Sequence, residues 1–175
     1  SILYDENKHN LAAKNLDKIN ELTGRHIEYD IKYISSLVIS GKLSEAAKAI
    51  SETEKIYSGI FLFDFIRSVN FLKQKKYKEA LLEIKKIKSN DLVFQELQNS
   101  LIFWIEIRDK SKNQFKAIKK FKSRNLSIGL INKFLSSRYI EDLGLYKYYN
   151  KKILNSNELT RYQIFSAWNE KKIGN

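Results

Sequence analysis

An all-α fold, made of antiparallel helical hairpins stacked in succession, is what this sequence predicts. Three observations predict it. "GKLSEAAKAISETEKI" (Gly41 to Ile56) and "KKYKEALLEIKKIKSN" (Lys75 to Asn90) are near copies in which Ala46 and Ala80 stand 34 residues apart. The agreement spreads beyond the alanines, pairing Leu37 with Phe71, Leu43 with Tyr77, Glu45 with Glu79 and Ile50 with Ile84. Further copies lie on either side: Ala12, Ala13 and Leu16 fall 34 residues before Ala46, Ala47 and Ile50, and Ala117, Ile118 and Phe121 follow Ala80 after a step stretched to 37. A period of 34 is that of a helix–turn–helix unit, which cannot bury its apolar face alone and so stacks on its neighbours.

The elements follow in order. A lone helix of the second type is expected over 6–22, carrying Ala12, Ala13 and Leu16. Helices over 28–40 and 43–57 form the first pair, joined by "ISGKL", in which Gly41 suits a left-handed helix end. Helices over 60–74 and 77–88 form the second, joined by the polar "LKQKKY". The helix over 60–74 is apolar nearly all round, as expected of one buried on two faces. Helices over 92–109 and 113–123 form the third, joined by "RDKSKNQF". Helices over 126–142 and 144–154 make a weaker fourth pair, and a last helix over 158–172 follows the cap-like "NSN" (Asn155 to Asn157). Ala12, Ala46, Ala80 and Ala117 are expected where helices cross, because axes about 8–10 Å apart leave no room for a large side chain. The residue four positions on (Leu16, Ile50, Ile84, Phe121) lies one turn away on the same face and enters the core.

Composition narrows the functional classes. The chain has 175 residues, 43% hydrophobic and 30% charged, which are globular proportions. The longest apolar run, "SGIFLFDFIRSVNFL", is broken by Asp64 and Arg67, so no transmembrane segment is expected. Cysteine is absent, which removes disulfides, thiolate metal sites and a cysteine nucleophile, and leaves the compartment open between periplasm or cell envelope and cytoplasm. Ser1 in place of an initiator methionine suggests a processed product or a fragment. His9 and His26 lie far apart, with no companion ligand spacing, and no Gly-rich phosphate loop, HExxH motif or serine elbow occurs. No catalytic residue, metal or cofactor is expected. Proline is absent, so helices must end on Gly, Asn, Ser or charge patterning. The net charge of +12 is uneven: residues 1–60 hold eight Lys/Arg against nine Asp/Glu, and residues 61–175 hold twenty-four against eleven.

With the 34-residue period, the crossing alanines, the preceding Leu43 and Tyr77 and the turn Gly41, the chain resembles the tetratricopeptide repeat (TPR) family. The resemblance covers residues 5–123, with 124–175 as degenerate repeats and a terminal helix of one domain, 1–175. Ser68 meets the family's small residue in the first helix, whereas Ile34 and Ile105 do not, and the proline that often follows the second helix is missing. "YISSLVISGKLSEAAKAI", "VNFLKQKKYKEALLEI" and "SNDLVFQELQNSLIFWIEI" together resemble bacterial TPR proteins of the envelope or export type. The resemblance implies a right-handed α-α superhelix and a non-catalytic scaffold for a protein or peptide partner. It also implies that the first helix of each pair lines a concave groove. The groove positions are then Ile31, Ser35, Val38 and Ile39, then Leu62, Phe65, Val69 and Leu72, then Asn99, Ile102, Glu106 and Asp109. A neighbouring helix or a twin subunit would satisfy the same apolar residues as a bound segment would. Lys116, Lys119, Lys120, Lys122 and Arg124 fall instead on turns and second helices. As a stripe on the outer face they would contact phosphates, which makes RNA binding the alternative function. Phe115 and Phe121, spaced with Ile118, are expected in the core there.

Overall fold

Helices appear where the apolar spacing puts them. The computed structural model describes residues 8–18, 24–53, 56, 59–156, 159–164 and 167, and every regular element among these is helical. The chain parts into two compact units, Ser1–Ser89 and Asn90–Asn175. The first holds α1 (His9–Leu16), α2 (Ile27–Ile39), α3 (Leu43–Thr53), α4 (Phe61–Lys73) and α5 (Tyr77–Lys86). The second holds α6 (Leu92–Arg108), α7 (Gln114–Lys120), α8 (Leu126–Tyr139) and α9 (Leu143–Leu154), followed by helical residues 160–164 and 167. The rest of the expected last helix, Asn157 of its cap, and parts of the expected helices over 6–22 and 43–57 lie outside the described residues.

In the first unit each helix packs on the next, α1 on α2, α2 on α3, α3 on α4 and α4 on α5. Ala46 and Ala80 are wholly buried, and Ala12 and Ala13 nearly so, which places the small residues in the helix contacts. Ser68 shows why small size matters there: its hydroxyl donates to the Ala80 carbonyl 2.8 Å away across the α4–α5 contact. Leu16, Ile50 and Ile84, one turn further on, are buried as expected. Ala13, Ile34, Leu37, Ala46, Ala49, Ile50, Phe63 and Ile66 form the continuous core of this unit.

Three hairpins close with one turn. Gly41 donates to the Val38 carbonyl (2.9 Å) and Lys42 to that of Leu37 (2.8 Å). Lys75 and Lys76 repeat this on Leu72 (3.0 Å) and Phe71 (2.9 Å), as do Glu141 and Asp142 on Arg138 (3.2 Å) and Ser137 (3.1 Å). This paired pattern is the Schellman motif, and it needs a left-handed residue just past the helix. Gly41 (φ 78°), Lys75 (φ 62°) and Glu141 (φ 58°) supply it. The expected helix over 126–142 accordingly stops at Tyr139, and 140–142 make the turn.

Other differences have local causes. Asp17, which follows α1 with helical φ and ψ, accepts from the Tyr33 hydroxyl of α2 at 2.9 Å. α7 ends at Lys120 because Phe121 turns extended (ψ 126°) to enter the core. Ala117 is only half-buried, so the third pair does not cross on its alanine; Ile118, wholly buried, takes that place. In the fourth pair large residues fill the contact, with the Phe134 and Tyr146 rings 5.5 Å apart beside wholly buried Ser136 and Ser137. Phe103, Ile107, Ile118, Phe121, Phe134, Tyr146, Tyr149, Ile153 and Leu159 form the second core.

Candidate functional site

The expected residues fall in two groups, one in each unit. In the first unit the first helices of the two hairpins, α2 and α4, carry them at matching registers: Ile31 with Phe65, Ser35 with Val69, Val38 with Leu72. All six are half-buried, as is Leu62, while Ile39 is exposed. Ile31, Val38 and Leu62 lean against the first core, so part of the expected groove is core edge. Phe65 stacks on Phe61 at 5.6 Å, which fixes its ring direction along α4. Ile102, half-buried, belongs to α6 in the second unit, with Glu106 and Asp109 half-buried and Asn99 exposed on or just past the same helix.

α4 is covered along almost its whole length. Every residue from Phe61 to Leu72 is buried or half-buried. Its charged residues are tied into a chain that crosses to α5. The Arg67 guanidinium lies 2.6 Å from Asp64 and 3.1 Å from Glu83, and Glu83 also holds Lys86 at 2.6 Å. The Arg67–Glu83 contact is a charge pair rather than a well-directed hydrogen bond. Satisfying Asp64 and Arg67 with each other lets a helix with two charges pack on both sides.

The second unit carries the basic surface. Lys116, Lys119, Lys120, Lys122 and Arg124 are all exposed, the first three on α7 and the others on the segment leading to α8. Phe121 is buried with Ile118, but Phe115 is 41% exposed, with the Lys119 ammonium 4.3 Å from its ring centre. The expectation that Phe115 is core therefore fails; it sits one turn before Ile118 and Lys119 on a helix too short to turn all its apolar residues inward.

Beside this stripe lies a cleft the repeat pattern did not indicate. Phe121, Lys122 and Ser123, then Leu126, Gly129, Leu130 and Lys133 of α8, then Tyr149 and Lys152 of α9, surround about 460 Å³. Burial, followed by the nearby Lys152 charge, pushes the half-buried Lys133 ammonium below the usual lysine range. Exposed Tyr148 has Lys152 at 4.7 Å from its ring centre, and the hydrogen bond and charge of Lys152 lower its phenol below the ordinary tyrosine value. The signal for this cleft was in the sequence, because no Asp or Glu occurs between Asp109 and Glu141 while nine Lys/Arg do.

Among the described residues no cluster of three or more His, Asp or Glu could hold a metal ion, and no helix is long and apolar enough to cross a membrane. No protein-family model, curated protein or solved structure matches the chain.

Proposed function

We propose that this chain is a non-catalytic protein-interaction scaffold, a TPR-like right-handed solenoid of hairpins that takes a segment of a partner protein along the first helices of its repeats. One observation carries this reading: α2 and α4 present Ile31/Phe65, Ser35/Val69 and Val38/Leu72 at one register, half-buried and nearly all apolar. Such a face suits an amphipathic or extended segment whose apolar side chains complete the burial. The 34-residue step between α2 and α4, and between α3 and α5, with the shared turn at Gly41 and Lys75, supports the repeat assignment.

Affinity capture with the full chain as bait, at low and moderate salt, tests it. Phe65→Glu or Leu72→Glu should abolish capture of a protein that wild type retains, with circular dichroism confirming that the helices persist. Lys119→Glu with Lys120→Glu should leave capture intact. A second reading, RNA binding by the outer-face lysines, is favoured by the exposed Phe115 under Lys119, since single strands are held by basic groups beside aromatic rings. Loss of binding in the lysine pair, with a steep salt dependence, would select that reading over the groove.

A further inference from the structure

We infer that the cleft between α8, α9 and residues 121–123 binds the phosphate of a nucleotide, held by the ammonium groups of Lys122, Lys133 and Lys152. This site lies wholly in the second unit and does not depend on the scaffold reading.

The first ground is charge without counter-charge. Three lysines line one cleft, and none of them pairs with a carboxylate among the described residues. Around Lys122 and Lys133 the chain offers little relief, being free of Asp and Glu from residue 110 to residue 140. Glu96, which reaches this region from α6, is already committed: it accepts from the Ser123 hydroxyl and from the Arg124 backbone N–H. Like charges gathered in a partly desolvated recess raise each other's cost, and an anion entering the recess removes that cost. Lys133 already carries the mark of this crowding, with its ammonium weakened by burial and by Lys152.

The second ground is the match to phosphate. Three point charges exceed what one carboxylate neutralises, whereas a phosphomonoester brings close to two negative charges and three strong acceptor oxygens. Lysine binds phosphate as a point charge and needs no planar partner.

The third ground is the wall of the cleft. Leu126 and Leu130 make it apolar on one side, and its volume of about 460 Å³ falls in the range of small-ligand sites. Tyr148, 54% exposed, stands beside Lys152, so a phosphate on that ammonium brings an attached base within reach of an aromatic ring. Inorganic phosphate uses only the charges; a nucleotide uses the charges, the apolar wall and the ring.

Two sources share this chemistry, a free nucleotide and a single-stranded nucleic acid. Titration calorimetry of the full chain with inorganic phosphate, a nucleoside monophosphate and a single-stranded oligonucleotide separates them. Lys133→Gln and Lys152→Gln should each weaken binding by about tenfold or more, as expected for a lost charged contact. Lys85→Gln with Lys88→Gln, on exposed lysines of the first unit, should not. Tyr148→Ala should weaken the nucleotide and leave phosphate unchanged. Saturable monophosphate binding identifies a free nucleotide as the ligand. Binding of the oligonucleotide alone, lost in Lys133→Gln, identifies a strand. The inference is overturned if none of the three ligands binds, if phosphate binds as tightly as the nucleotide, or if the first-unit lysine pair weakens binding as much as Lys133→Gln.

Discussion

Lys75 and Glu141 hold a backbone conformation that only glycine enters without steric cost. Gly41, which holds it at the third of these hairpin turns, has open space where a Cβ would stand, so the penalty of a side chain there comes from the backbone itself. A side chain in the left-handed region costs roughly 1–2 kcal/mol. Gly41→Ala should therefore lower stability by about 1 kcal/mol in urea denaturation. Lys75→Gly and Glu141→Gly should raise the midpoint modestly, because glycine's extra unfolded-state entropy offsets part of the gain. Gly129 reverses the usual expectation for a helical glycine. Replacing it with alanine normally stabilises an exposed helix by about 1 kcal/mol. Here the new Cβ would stand 2.9 Å from the Ser123 Cβ, and overpacking of that kind costs about 1–3 kcal/mol. Gly129→Ala should lower the urea midpoint, and a rise would show that the 121–125 segment yields freely. Of these residues only Gly41 was legible in the sequence. Lys75 and Glu141 were not, because lysine and glutamate carry no preference for the left-handed region; only the register with Gly41 points to Lys75.

Among the helices, α4 differs most from its neighbours. Its composition predicted burial on two sides, and its position between α3 and α5 explains why. The pairing of its charges was not legible, since Asp64 and Arg67 look like interruptions of an apolar run until Glu83 of α5 is placed beside them. The Arg67 side chain is 12% exposed and that of Glu83 is 14%, so removing Arg67 leaves the carboxylates of Asp64 and Glu83 with little water to replace it. Arg67→Met should destabilise the chain by about 3 kcal/mol, and Glu83→Gln in the same chain should recover part of that loss. A double-mutant cycle in urea measures the coupling; a coupling near zero would mean the contact is spectator to the α4–α5 packing. Helix starts divide along the same line as the units. α6, α7, α8 and α9 each begin on a side-chain cap, from Asp91, Asn113, Asn125 and Asp142. α2, α4 and α5 begin on His26, Ile60 and Lys76, which cap nothing. The capped helices follow an Asp or Asn, a signal present in the sequence. The uncapped ones were placed by the repeat register alone.

At the scale of the whole chain, the 34-residue period described the first unit well and the second only loosely. In the first unit α2 to α4 keep the step residue for residue and α3 to α5 keep it at their starts, with small buried residues at the crossings. In the second unit α6 lengthens to 17 residues, α7 shrinks to 7, and the contacts are filled by Ile118, Phe134 and Tyr146 in place of alanine. Periodicity cannot report a contact made by large residues whose fit depends on ring direction. The half-burial of Ile31, Ser35, Val38, Leu62, Phe65, Val69 and Leu72 follows the register of α2 and α4, whereas the α8–α9 cleft was signalled by charge alone, since it draws on three segments that no single period connects. The architecture of the first unit rests on hairpins nesting over small side chains. The urea midpoint of Ala80→Leu, compared with that of Ala117→Leu, tests this most directly. Nesting predicts that Ala80→Leu, at a wholly buried crossing, loses about 1–3 kcal/mol or more while Ala117→Leu, half-buried, loses far less. Equal midpoints for the two variants, or an Ala80→Leu chain as stable as wild type, would contradict it.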